Sequence, residues 1–170
     1  MFDRFGEFDS YRELNASAEG LLKEGDTGSI YILAQENGID REDADDYING
    51  DIPELANALM AAYGKLDVEA KELKPREIME DWLAYIRVRC QEEPEMAAAV
   101  RRKGKSLKGC IGALLQWSFK HQIPVDKELT KAAGVTAGRV TLGIPGTATA
   151  KKIITDYYMG KQVRHEEKAD

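Results

Sequence analysis

Residues 27–38 read TGSIYILAQENG, and the run Ile30-Tyr31-Ile32-Leu33 inside them decides the fold class. Four consecutive apolar residues suit a short buried strand as well as a turn of buried helix. No second strand-like run exists elsewhere in the chain to pair with it. The helical reading therefore prevails: Ile30, Leu33 and Ala34 share one helical face, and Gly38 stops the helix.

The same punctuation continues in both directions. Upstream, Ser10 and Glu13 form a capping box ahead of Leu14, Ala18 and Leu21, and Gly25 ends that helix. Downstream, Asp40 caps a short acidic helix that stops at Gly50. Asp51 caps the next, with Pro53 in its first turn, the stripe Ile52, Leu55, Leu59 and Tyr63, and Gly64 as its end. Residues 65–74, KLDVEAKELK, read as a polar connector with partial helical character. Pro75 opens a long helix that buries Ile78, Met79, Trp82, Ile86 and Cys90, and Pro94 restarts the pattern through Met96, Ala97 and Val100.

Ser106 caps a helix carrying Leu107, Ile111, Leu114, Leu115 and Trp117. Gly109 and Gly112 each weaken it by about 1 kcal/mol relative to Ala, or let a neighbouring helix approach closely. Residues 126–133 are helical, GVTAGRVTLGIPGT is a loop, and a last helix from about Thr147 to Met159 turns Ile153, Ile154, Tyr157 and Tyr158 inward. The expected fold is all-α, a compact bundle of about seven or eight short helices. It divides into an acidic helical part over 1–64, a connector over 65–75, a helical part with a basic segment over 76–160 and a frayed tail over 161–170, packing as one domain or two.

Composition bounds the class. The chain has 170 residues, and its 43% apolar and 32% charged content argue against disorder. No apolar run approaches the roughly 18 residues of a membrane span, and the acidic opening MFDRFGEFDSYRE lacks the basic and apolar regions of a signal peptide. Two cysteines, Cys90 and Cys110, make no disulfide framework. A reduced, cytoplasmic protein is expected, with no cofactor and no membrane partner.

The net charge of −6 conceals an asymmetry. Residues 1–100 hold 24 acidic and 10 basic side chains, a net of −14, whereas residues 101–170 hold 6 acidic and 14 basic, a net of +8. Such halves either pair with each other or present two surfaces to different partners. The acidic cluster is Asp40, Glu42, Asp43, Asp45, Asp46, Asp51 and Glu54. It lacks the ligand order of a calcium loop. It reads either as a solvated face or as a surface for a basic, nucleic-acid-binding partner. The basic set is Arg101, Arg102, Lys103, Lys105 and Lys108, joined by Arg139, Lys151 and Lys152, and suits contact with nucleic acid or with an acidic partner.

Catalytic patterns are weak. Cys90, Cys110 and His121 have no metal-ligand spacing, and the reading of both cysteines as small core hydrophobes is preferred. Ser118 and His121 lie three apart on one helix without a third group. Gly104-Lys105-Ser106 resembles the end of a phosphate loop, but the required earlier glycine position holds Ala99. The start of the Ser106 helix still offers N–H groups to an anion. Helices 126–133 and 147–159 with their long connection depart from a helix-turn-helix, whose turn is about three or four residues. No enzymatic activity is expected.

The stretches FGEFDSYRELNASAEGLLKEGD, ILAQENGIDREDADDYING, IPELANALMAAYGKL, LKPREIMEDW, VRRKGKSLKGCIGALLQWSFK and AAGVTAGRVTLGIPG followed by AKKIITDYYMG cover nearly all of residues 6–160. Together they resemble the type II-A anti-CRISPR proteins of mobile genetic elements and phages of Gram-positive gut bacteria, inhibitors of the Cas9 nuclease. The resemblance lies in the sequence as a whole and includes no catalytic signature. It implies a non-enzymatic protein that binds the type II CRISPR effector nuclease, with or without guide RNA. The alternative is a DNA-binding or conjugation-accessory protein of a mobile element, using the basic segment. Self-association is left open.

Overall fold

Short polar side chains cap five of the described helices through hydrogen bonds to their first-turn N–H groups. In the computed structural model, which describes residues 1–160, Ser10 Oγ accepts from the Glu13 N–H at 3.2 Å at the start of α1 (Tyr11–Lys23). The Glu13 carboxylate reaches back to the N–H of Asp9 at 2.8 Å. Asp26 accepts from the Ser29 N–H at 3.0 Å and starts α2 (Thr27–Glu36), so the IYIL run is helix. Asp40 stands at the start of α3 (Arg41–Asn49) without a side-chain capping bond, and Gly50 ends that helix in the left-handed region, at φ +82°.

Asp51 is not a cap. Residues 51–57 run irregularly, and α4 (Ala58–Leu73) begins only after Asn57, whose side chain accepts from the Met60 N–H at 2.9 Å. The cause lies in α1: the Asn15 amide donates to the Ala56 carbonyl at 2.8 Å and accepts from the Ala56 N–H at 3.1 Å. Those two bonds tie residue 56 outside the helix, where Leu55 and Ala56 are buried.

Nor is 65–75 a connector for most of its length. Residues 65–73 are the second half of α4, with Lys65, Leu66 and Glu69 buried. This helix belongs to both apolar clusters. Ala61 joins Leu14, Ala18, Ile30, Leu33 and Leu55, while Ala62 and Leu66 join the second cluster around Trp82, Ile86, Val100 and Leu114. The boundary between acidic and basic parts thus runs along a helix that packs on each. Gly64 makes its crossing with the end of α2 close, because a Cβ there would collide with the Asn37 carbonyl.

Beyond α4 lie α5 (Ile78–Glu92), α6 (Pro94–Arg101), α7 (Leu107–Lys120) and α9 (Thr147–Met159), which share the second cluster. Helix α5 starts three residues after Pro75, following Lys74 and Glu77 at positive φ. That later start leaves Ile78 exposed and Met79 half-buried, while Trp82, Ile86 and Cys90 are buried as their spacing predicts. Ser106 caps α7 by accepting from the Gly109 N–H at 3.0 Å. Gly109 faces Tyr157 of α9 so closely that a Cβ would strike the ring, whereas Gly112 faces open space.

Between α7 and α9 the chain makes an excursion. A two-residue strand β1 (Ile123–Pro124), the short helix α8 (Lys127–Ala132) and a second strand β2 (Thr141–Leu142) form it, with Ile123 opposite Leu142 and Pro124 opposite Thr141 in antiparallel register. The long loop expected here therefore contains one side of a small ribbon. The described residues are otherwise all-α, and none of their helices is long and apolar enough to cross a membrane. The tail expected over 161–170 lies outside the described residues.

Candidate interaction surfaces

Helix α3 and the turn after it carry the acidic cluster. Asp40, Glu42, Asp51 and Glu54 are exposed, and Asp43, Asp45 and Asp46 are half-buried. Among the described residues, no Lys or Arg forms a salt bridge with any of the seven. Asp45 has a structural task, since the Tyr31 hydroxyl donates to it at 2.5 Å, and this bond holds the phenol's pKa above its ordinary value. The Arg41 guanidinium lies 4.5 Å from the centroid of the same ring. Beside this corner is a groove of about 680 Å³, lined by Tyr31, Gly38, Asp40, Arg41, Asp67 and Lys71 among others.

The basic set is divided by the fold. Arg101 is only 1% exposed and is no surface contact: its Nη2 donates to Asn37 Oδ1 at 2.8 Å, and the Phe2 ring covers the guanidinium at 5.5 Å. Burial pushes its pKa down to about 10. Lys105 is half-buried, with Nζ donating to the Tyr157 carbonyl at 2.7 Å and 4.9 Å from that residue's ring centroid. Arg102, Lys103 and Lys108 remain exposed. On α9, Lys152 pairs with Asp156 at 2.6 Å, and Lys151 lies 5.3 Å from the Tyr85 ring. The five residues expected to form one contact surface are thus split between core and surface.

Around Arg101 the acidic and basic parts do meet. Lys65, with a fully buried side chain, donates to Glu7 Oε1 at 2.6 Å, the Arg102 carbonyl at 3.0 Å and the Lys105 carbonyl at 2.6 Å. Burial lowers its pKa despite the favourable Glu7 contact. Glu69, four residues along α4, accepts from the Leu107 N–H at 2.9 Å, and burial raises its carboxyl pKa. Asp9 accepts from the Lys103 N–H at 3.0 Å, and the Tyr157 hydroxyl accepts from the Ser106 N–H at 3.0 Å. Three N–H groups at the start of the Ser106 helix, those of Ser106, Leu107 and Gly109, are therefore already bonded to Tyr157, Glu69 and the Ser106 hydroxyl.

Sequence reading missed Lys65, Glu69 and Asn37 as members of this network. The available signal was two charges, four apart, on the same face as Ala62 and Leu66, which only a buried, paired arrangement reconciles. It also missed the apolar character of the excursion. Of the large apolar residues left exposed, Phe119, Ile123, Leu129, Val135, Leu142 and Ile144 all lie in or beside it.

The remaining chemical candidates separate. His121 stacks on Trp117 of its own helix, with centroids 4.3 Å apart, and Ser118 donates to the Leu114 carbonyl at 3.1 Å instead of to the imidazole. Cys90 and Cys110 are buried and free, their thiols pushed up to about 12 by burial. Among the described residues, no group of three or more His, Cys, Asp or Glu side chains is placed to hold a metal ion. Compared with known protein families, curated proteins and solved structures, the chain matches none.

Proposed function

We propose that this protein works by binding: the α3 face docks on a basic, nucleic-acid-binding surface of a type II CRISPR effector nuclease and inhibits it. The observation that carries the surface is the set of seven carboxylates that form no salt bridge with a Lys or Arg among the described residues. The partner follows from the resemblance of the sequence to type II-A anti-CRISPR proteins. Such a nuclease holds its guide–target duplex in a positively charged channel and reads a short flanking motif with arginines. An exposed acidic helix competes with phosphate for those groups, and the attraction weakens as salt rises.

The test is co-elution with the purified nuclease, with and without guide RNA, together with plasmid cleavage. Inhibition at near-stoichiometric ratio is expected. The combined change Glu42→Lys, Asp51→Lys and Glu54→Lys, confined to exposed carboxylates, should abolish it while leaving the melting temperature nearly unchanged. Absence of co-elution with full cleavage refutes the reading. A shift of duplex DNA by the protein alone, falling steeply with salt, would instead favour the DNA-binding alternative through Arg102, Lys103 and Lys108.

A further inference from the structure

Residues 119–144 form an arm that the rest of the fold does not explain. Helix α8 buries none of its six residues, and a helix shorter than about 12–15 residues is marginal on its own. The arm is nevertheless given a definite shape. Gly143 sits so near the Ser118 carbonyl and the Gln122 amide that a Cβ would collide with them. Gln122 donates to the Ser118 carbonyl at 2.8 Å and accepts from the Thr141 hydroxyl at 2.9 Å. These ties hold the ribbon against the last turn of α7.

What the ribbon presents is apolar. Phe119, Ile123, Leu129, Leu142 and Ile144 each keep more than half of their surface exposed. Ile123 and Leu142 are directly opposite in the antiparallel register, so their side chains leave the ribbon on one face. Leu115 and Phe119, four apart, share a face of α7 and are also exposed. Apolar residues scattered singly need no explanation, but exposed Ile123 and Leu142 stand side by side within one segment, 119–144, that also holds Phe119, Leu129 and Ile144. Around them stand Lys120, Lys127, Lys131 and Arg139 against Asp126 and Glu128, and among the described residues none of the six is in a salt bridge.

We infer that the arm is a docking surface for another protein's segment whose apolar side chains are flanked by carboxylates. Charge complementarity selects this occupant. A second copy docked arm to arm would set one net-positive surface against another. A second copy docked through α3 would supply carboxylates but no large exposed apolar side chain, since none of the exposed set lies between residues 2 and 72. Nucleic acid would satisfy the cations and leave Ile123, Leu129, Leu142 and Ile144 without apolar partners. The surface is separate from α3, and its test is independent of the nuclease.

The probes are two synthetic amphipathic peptides with the same leucine face, one carrying glutamates and the other lysines, plus a single-stranded oligonucleotide. Binding is read by amide chemical shifts and fluorescence anisotropy. The glutamate peptide should shift the amides of residues 119–144, bind more weakly as salt rises, and lose affinity by about tenfold or more with the double change Ile123→Ser and Leu142→Ser. Both substituted side chains are exposed, so the variant should keep the parent's melting temperature. Equal binding of the lysine peptide, tighter binding of the oligonucleotide, no shift with either peptide, or concentration-dependent dimerisation abolished by the double change would each overturn the inference.

Discussion

Replacing Glu7 by Gln should expose the tension in the buried charge network. The variant removes the carboxylate that pairs with Lys65 while retaining its two backbone acceptors, at 3.0 Å on Arg102 and 2.6 Å on Lys105. Removing one partner of a buried ion pair costs about 3–5 kcal/mol because a charge is left uncompensated. Glu69 still favours the ammonium electrostatically, which places the expectation near the lower end, about 3 kcal/mol. Urea unfolding at neutral pH measures it. The pH dependence gives a second readout with a definite sign. The folded-state pKa of Lys65 is below its ordinary value, so the unfolded chain binds more protons between those two values, and stability rises with pH across that window. Without Glu7 the folded pKa falls further, the window widens toward neutrality, and the slope approaches about 1.4 kcal/mol per pH unit within it. Adding Lys65→Met should recover part of the loss by removing the stranded charge. A single variant within about 0.5 kcal/mol of the parent, with an unchanged pH profile, refutes the argument.

The packing predicts a contrasting glycine pair. Gly64→Ala should destabilise by about 2–3 kcal/mol through collision with the Asn37 carbonyl, whereas Gly112→Ala should stabilise by about 0.5–1 kcal/mol through helix propensity alone, both read as shifts in melting temperature. Ser106→Ala should cost about 1 kcal/mol in urea unfolding by removing the cap of α7. Cys90 and Cys110, with thiols pushed up to about 12, should resist a thiol reagent at neutral pH, and their labelling should follow unfolding in rising urea.

The helices were legible where the determining residues are neighbours in the chain. Ser10 reaches Glu13, Asp26 reaches Ser29 and Ser106 reaches Gly109, so each start can be read within one turn. The start of α4 was not legible, because the Asn15 amide that ties down Ala56 is 41 positions away. The acidic cluster was visible because its seven carboxylates fall between residues 40 and 54. The basic set was misread at Arg101 for the opposite reason. Its partner Asn37 is 64 residues distant, and a guanidinium looks the same in sequence whether solvated or buried.

The −14 and +8 halves show how the two levels divide. Caps, stops and apolar spacing are local, and from them alone the chain is an all-α fold with charge segregated along its length. Which charges face water is a tertiary matter, because burial depends on what packs against a residue from elsewhere. Asp9 meets the Lys103 N–H, Glu69 meets the Leu107 N–H and Lys65 meets the Arg102 and Lys105 carbonyls, so the halves join at their seam through backbone groups. Among the described residues the acidic cluster of α3 and the turn after it forms no salt bridge.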